Sequence, residues 1–291
     1  MTKLLDVAYP QCCLDLDLPT HLYIFFSLFA VAENPDALVL DVKVGKGAFM
    51  KTTEEAIELA QSMVSTGERN GKPTVGFITR MDEPLGEAVG NFFEIRECVK
   101  IMKNEHDKHL SEDLYELTVT LAGQMCVLGK KCDTLGEGIA MARVNLSNGK
   151  ALDKFYEMVI AQGGEIECVT SNLDNYPPAK FSADVVSDRN GVVSSIDALV
   201  IGNTCVELGA GRRVASDSVE MNCGIFMCKK VGDSVNVGDV VARCYSNREG
   251  IEDAARRVFS SFAIDQAQDG GEKKKSLITH IISCDGVTGF K

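Results

Sequence analysis

The sequence predicts a parallel-sheet α/β domain, incomplete in itself, followed by an α+β domain with a barrel-sandwich-like β module. Three observations predict it. Two continuous apolar runs, Ala37-Leu-Val-Leu40 and Thr74-Val-Gly-Phe-Ile-Thr79, read as strands buried on both faces. A capped amphipathic stretch of helical length separates them, long enough for a parallel crossover. Beyond Tyr176-Pro-Pro178 the helical texture gives way to short valine-rich segments, and two Val-Gly-Asp turns start at Val231 and Val237.

Taken in order, residues 1–33 show no clean helical or strand period and stand apart from the rest of the chain. Residues 34–170 form the α/β part. Ala37 to Val44 is a strand and Gly45 to Gly47 a loop. Thr52 and Glu55 are spaced as a capping box, which predicts a helix over Glu54 to Met63. Gly71-Lys72-Pro73 ends that unit, and Thr74 to Thr79 is the second strand. A helix is expected from Glu87 to Met102. Another, capped by Ser111, is expected from Glu112 to Leu128, with Leu114, Leu117, Leu121, Met125 and Leu128 as its core stripe and Gly129 as its stop. Helices over Leu135–Leu146 and Ala151–Gln162 come next, and Gly163-Gly164 closes this half.

Residues 180–265 form the α+β part. Val185, Val192, Val193 and Ile196 sit in strands around Asp188-Arg189-Asn190-Gly191, and Asn-Gly there signals a hairpin. A helix is expected from Ile251 to Phe262. Residues 266–291 hold a Gly- and Lys-rich linker and a final strand, Leu277 to Ile282, read as the close of this module.

Composition excludes several roles. The chain is 45% hydrophobic and 25% charged, ordinary for a globular protein. A net charge of -12 disfavours phosphate backbones, so nucleic acid is not an expected partner. The longest apolar stretch, Leu22 to Ala32, is too short to span a bilayer, so no membrane is expected. The 11 cysteines are scattered and odd in number, which points to a reducing, cytoplasmic compartment. Neither Cys12-Cys13, nor Cys223 with Cys228, nor His106 with His109 has the partners of a zinc site.

The candidate ligand site lies where DALVLDVKV passes into GKGAFM, residues 36–50. In open α/β sheets, ligands bind beyond the carboxyl ends of the strands. Asp41 and Lys43 lie near such an end, on one strand face, and also suit a structural ion pair. Gly45 and Gly47 suit either a tight turn or close approach of the backbone to a ligand. No residue is assigned a catalytic role.

Five blocks carry a resemblance: DALVLDVKVGKGAFMKT (36–52), MDEPLGEAVGNFFEIRECV (81–99), NGKALDKFYEMVIAQGG (148–164), LGAGRRVASDSVEMNCGI (208–225) and VGDSVNVGD (231–239). In that order they resemble the thymidine and pyrimidine-nucleoside phosphorylases over residues 34–265. The resemblance implies phosphorolysis: phosphate attacks the anomeric carbon of thymidine or uridine, giving free base and pentose 1-phosphate through an oxocarbenium-like transition state. It implies phosphate as co-substrate, no required organic cofactor, and a homodimer in the family. Phe49 then lies by the base pocket, with Lys43, Gly45 and Gly47 as substrate-binding residues; the other reading of Phe49 is a core residue at the helix entry. The resemblance also implies a monovalent cation, potassium, held by the main-chain carbonyls of Leu85 and Ala88 and the carboxylate of Glu97.

The family's upstream Lys-His-Ser-Thr-Gly-Gly phosphate loop, and the Arg, Ser and Lys-Lys that hold the base, have no counterpart in this sequence. Residues 1–31 stand in their place. A truncated product or a misplaced gene start is one expectation; the alternative function is a catalytically inactive family member that acts only as a binding or partner chain. The Val-Gly-Asp hairpins also resemble lipoyl- and biotinyl-type carrier domains, but Met227-Cys228-Lys229-Lys230 departs from their modified-lysine motif.

Overall fold

A computed structural model describes residues 34–171, 173, 177–266 and 276–290. The N-terminal segment 1–33, Tyr176 and most of the linker in 266–291 lie outside the described residues. Along the chain the elements are β1 (Leu38–Val44), α1 (Thr53–Arg69), β2 (Thr74–Arg80), β3 (Ala88–Val89), α2 (Asn91–Met102), α3 (Glu112–Leu128), α4 (Leu135–Ser147) and α5 (Lys150–Ala161). Then come β4 (Phe181–Val186), β5 (Gly191–Ile196), α6 (Ala198–Cys205), β6 (Gly224–Met227), β7 (Ser234–Val235), β8 (Val240–Ser246), α7 (Ile251–Ser260), β9 (Phe262–Asp265), β10 (Ile278–Ser283) and β11 (Gly286–Gly289). The chain divides into two units. Among the described residues, one holds 34–80, 120–139 and 276–290, and the other holds 81–119 and 140–266.

In the first unit β1 and β2 pair in parallel, from Leu38 opposite Thr74 to Val44 opposite Arg80. Helix α1 makes the crossover. Its start is the expected capping box: the Thr52 hydroxyl accepts the Glu55 N–H at 3.3 Å, and the Glu55 carboxylate accepts the N–H of Thr52 at 3.1 Å. The helix runs past Met63 to Arg69, because Ala60, Val64 and Gly67 continue the buried face begun by Ala56. That face packs with Val42, Val44, Ile78 and Ile282 in one core. Strand β2 is buried along its whole length except at Arg80, as the unbroken apolar run requires.

The closing strand does not stay with the C-terminal module. β10 pairs antiparallel with β2, and β11 pairs with β10, giving the order β1-β2-β10-β11. Ile278 and Ile282 are the reason: both are buried, and Ile282 joins the core beneath α1.

The second unit carries two antiparallel sheets, β3-β6-β8-β4 and β7-β5-β9. They share a core with α6 and α7 built on Val185, Val193, Ile201, Ile225, Val241 and Val258. Three expectations change here. The helix expected from Glu87 starts only at Asn91, because Ala88 and Val89 pair with Phe226 and Ile225 as a short strand. Gly90 makes the turn between them at φ 140, and a Cβ there would meet the Cys223 carbonyl oxygen at 2.7 Å. Asn190-Gly191 joins β4 to β5 but forms no hairpin, since β4 pairs with β8 and β5 with β7 and β9. The Asn190 side chain instead accepts the N–H of Val237 at 2.8 Å. The helix expected to Phe262 ends at Ser260, and Phe262 opens β9.

The two Val-Gly-Asp turns are built alike. Asp233 accepts the N–H of Lys230 at 2.8 Å, and Asp239 accepts the N–H of Asn236 at 3.0 Å. In α3, Leu117 is buried, Leu114, Leu121 and Leu128 are half-buried, and Met125 is exposed, so the expected stripe is only partly a core face. The left-handed residue that ends this helix is Lys130, not Gly129.

Thr52→Ala removes one acceptor from the start of α1 and lowers stability by about 1 kcal/mol. Urea unfolding checks this as a lower midpoint with an unchanged slope.

Candidate functional site

The β1 loop is the first group of candidate residues. Asp41 and Lys43 share a strand face, so their side chains meet, with Lys43 Nζ at 2.7 Å from Asp41 Oδ2. The Thr79 hydroxyl, from the neighbouring strand, donates to the other oxygen of Asp41. After Val44 the chain turns at Gly45, φ 125, and closes on itself: Gly45 N–H donates to the Met50 carbonyl at 3.0 Å, and Ala48 N–H to the Gly45 carbonyl at 3.1 Å. Lys51 staples the loop, its Nζ donating to the carbonyls of Lys46 at 3.0 Å and Ala48 at 2.7 Å. Ala48 and Met50 point into the core, while Phe49 is 66% exposed. Phe49 is therefore not a core residue. A large apolar ring is held in solvent beyond the carboxyl end of a parallel strand, beside Gly45, Gly47 and a paired lysine.

The second group lies on the loop Glu83–Gly90 and helix α2. Glu97 is 2% exposed. Its Oε1 accepts the Glu87 N–H at 2.8 Å and the Ser111 hydroxyl at 2.6 Å, and its Oε2 accepts the Ala88 N–H at 3.1 Å. Ser111 makes its bond to Glu97 from the start of α3, where its carbonyl accepts the Tyr115 N–H at 2.9 Å. Burial pushes the Glu97 carboxyl above its ordinary range, against the pull of the Ser111 hydroxyl and the two N–H groups. These partners are all neutral, and a buried carboxylate with neutral partners is a place where a cation is stabilising. On that observation the carboxylate fits a monovalent cation, with the Leu85 and Ala88 carbonyls on the same loop. Gly86 is required there: its φ is +69, and a Cβ would lie 2.3 Å from Glu97 Oε1.

Sequence reasoning missed the partner of this loop. Lys230 is 2% exposed, and its Nζ donates to the carbonyls of Pro84 at 2.7 Å and Gly86 at 2.8 Å and to Asp113 Oδ2 at 2.8 Å. An exposed carrier lysine is excluded at this position. Asp113 also accepts the Gly86 N–H at 3.1 Å. The burial of Lys230 has no local signature, because Lys229-Lys230 reads as a solvated pair and the partners stand far away in sequence. The His109 ring likewise meets an acidic residue distant in sequence, Asp233 Oδ1 at 2.7 Å, while the Asp107 of its own loop accepts its backbone N–H at 2.8 Å. Among the described residues no cluster of His, Cys, Asp and Glu could hold a metal ion, and no helix is long and apolar enough to cross a membrane.

Comparison with known proteins brings two family models and a set of bacterial relatives. A "Glycosyl transferase family, a/b domain" model matches residues 27–152, and a "Pyrimidine nucleoside phosphorylase C-terminal domain" model matches residues 192–265. The pyrimidine-nucleoside phosphorylase of Bacillus subtilis (strain 168) is 41% identical over 249 residues, which cover 86% of this chain and 56% of that protein. The enzyme of the same name from Staphylococcus haemolyticus (strain JCSC1435) is 39% identical over 238 residues, covering 82% of this chain and 54% of the relative. The one from Staphylococcus aureus (strain USA300) is 38% identical over 234 residues, covering 80% and 53%. The chain spans about half the length of the curated relatives it matches.

Two substitutions probe the Glu97 site. Gly86→Ala drives a methyl group into the Glu97 carboxylate and forces an unfavourable φ, so it lowers stability by roughly 2 kcal/mol or more, read by thermal melting. Glu97→Gln leaves an NH2 group facing backbone donors and costs about 1–3 kcal/mol. The sign of its pH dependence comes from the raised carboxyl. Between the ordinary and the raised value, the folded chain binds more protons than the unfolded chain, so wild-type stability falls as pH rises through that window. The variant lacks this slope, and its deficit relative to wild type shrinks with rising pH when melting is monitored from pH 4 to 8.

Proposed function

Because the chain belongs to the pyrimidine nucleoside phosphorylase family over these two domains, we propose that it serves the phosphorolysis of pyrimidine nucleosides, thymidine or uridine. The observation that carries this reading is the exposed Phe49 ring at the β1 loop. A pyrimidine base presents a flat apolar face, and an aromatic ring already held in solvent supplies a wall for it. Gly45 and Gly47, which have no side chain, are the positions at which the sugar and its attacking partner would approach the backbone. Lys43, oriented by Asp41 and Thr79, supplies a fixed positive charge where an anion is drawn in. In the reaction a phosphate oxygen bonds to the anomeric carbon as the C–N bond to the base breaks, and the bonding pair leaves with the base.

A monovalent cation, potassium, would be held by the carbonyls of Leu85 and Ala88 and by Glu97; bound there, it supplies a charge that balances the buried carboxylate. Phosphate is the co-substrate. The reading places the chain in the reducing cytoplasm, and the described cysteines, Cys98 through Cys284, are all free thiols in accord with it. A homodimer belongs to the same reading.

One observation favours a second reading, a family member that binds without turnover. The basic side chains of the β1 loop are already engaged: Lys43 with Asp41, and Lys51 with two carbonyls. Phosphorolysis needs cationic donors for phosphate, and those engaged groups are poorly placed to supply them.

Release of thymine from thymidine, or uracil from uridine, by the purified chain separates the readings. The expected result is release that depends on phosphate, with Phe49→Ala weakening nucleoside binding about tenfold. Nucleoside binding seen by calorimetry without phosphate-dependent release selects the second reading. Absence of both binding and release overturns the two together.

A further inference from the structure

Lys230 sits in the first Val-Gly-Asp turn, yet its ammonium is buried against a distant loop. Two main-chain oxygens, of Pro84 and Gly86, and the Asp113 carboxylate surround Nζ at 2.7–2.8 Å. An ammonium has three donors and no acceptor, so this set satisfies it completely. The side chain is reached by a turn that is itself tied down. Asp233 holds the Lys230 N–H at 2.8 Å, Glu83 accepts the Val231 N–H at 3.3 Å, and His109 meets Asp233 at 2.7 Å.

Carbonyl and carboxylate oxygens closed around one positive charge form the ligand set with which proteins hold small hard cations. Here the charge is covalently attached to the chain. Asp113 fixes the same loop from a second direction, because its Oδ1 accepts the Gly86 N–H while its Oδ2 meets the ammonium. Gly86 is thereby held at both its N–H and its C=O, on the loop that carries Leu85 and Ala88 and is braced by Glu97.

We infer that Lys230 is a positioning residue: its ammonium is a resident monovalent cation that sets the shape of the loop Pro84–Gly90, and an oxygen cage specific for a small primary ammonium remains when it is removed. Lys230 touches no candidate substrate group and acts through the loop. The inference rests on the cage and not on phosphorolysis, so a chain without turnover tests it equally well.

The test is thermal melting of the full chain carrying Lys230→Ala, at constant ionic strength. The variant melts on the order of 10 °C below wild type, since it leaves a buried carboxylate and two carbonyls without their cation. Propylammonium, which replaces the deleted atoms and charge, restores at least half of that loss. Tetramethylammonium, too large and without N–H donors, and butanol, of similar length and uncharged, restore none. Wild type responds alike to all three. Equal rescue by butanol, or no rescue by any additive, overturns the inference. Should Lys230→Ala fail to fold, Asp113→Asn supplies the second measurement: amide hydrogen exchange in residues 84–90 rises at least tenfold, and unchanged exchange there overturns the inference.

Discussion

Gly86 is the point on which the second unit turns. Its N–H is taken by Asp113, its carbonyl by the Lys230 ammonium, and the space where a side chain would begin is filled by the Glu97 carboxylate. A left-handed residue without a Cβ is the one kind of residue that admits all three. The loop in turn sets the start of β3, whose pairing with β6 opens the larger sheet. Charges of both signs are thus buried around one short stretch of backbone. Burying them separately would cost several kcal/mol each, and the arrangement is tolerable because every charged atom faces an opposite charge or an oriented backbone dipole.

Much of the fold was legible because its cause is local. The two strands of the first unit are short apolar runs, and the helix between them begins with a reciprocal cap that three residues of spacing announce. The Val-Gly-Asp turns are local in the same sense, each aspartate binding the N–H three residues before it. What escaped the sequence is non-local. Asn190-Gly191 has the composition of a hairpin, but its flanking strands find better partners in β8 and β9, more than fifty residues on. The last strand comes after the C-terminal module in sequence and pairs with β2. Ser111 stands at the start of α3 as its composition suggests, its carbonyl accepting the Tyr115 N–H, and what escaped the sequence is its hydroxyl's bond to the buried Glu97 carboxylate.

The candidate sites divide along the same line. Phe49 was ambiguous in sequence, because Gly-Ala-Phe-Met offers three apolar residues and only two can face the core. Packing decided it: Ala48 and Met50 turn inward, and the ring between them is left in solvent. Asp41 with Lys43 was foreseeable as a pair from strand alternation, while the third member, Thr79, comes from register alone. Lys230 had no signal at all, since a lysine becomes a buried cation only through oxygens gathered by the tertiary fold.

The motif Pro84-Leu-Gly-Glu-Ala-Val-Gly-Asn91 therefore encodes shape more than chemistry. Glu87 and Ala88 contribute N–H groups to Glu97, Pro84 and Gly86 contribute carbonyls to Lys230, and Gly86 adds an N–H to Asp113. All of these groups are main-chain atoms, which every residue possesses, so the letters matter where they permit the path: glycine at Gly86 and Gly90, small alanine at buried Ala88. The charged atoms come from elsewhere, one from helix α2, one from helix α3 and one from a β turn. A loop built this way can be held rigidly by surrounding side chains while its remaining carbonyls stay available to a ligand. That is the physical condition a binding loop must meet, and it explains why the glycines of such a motif constrain the site as strongly as its charged residues do.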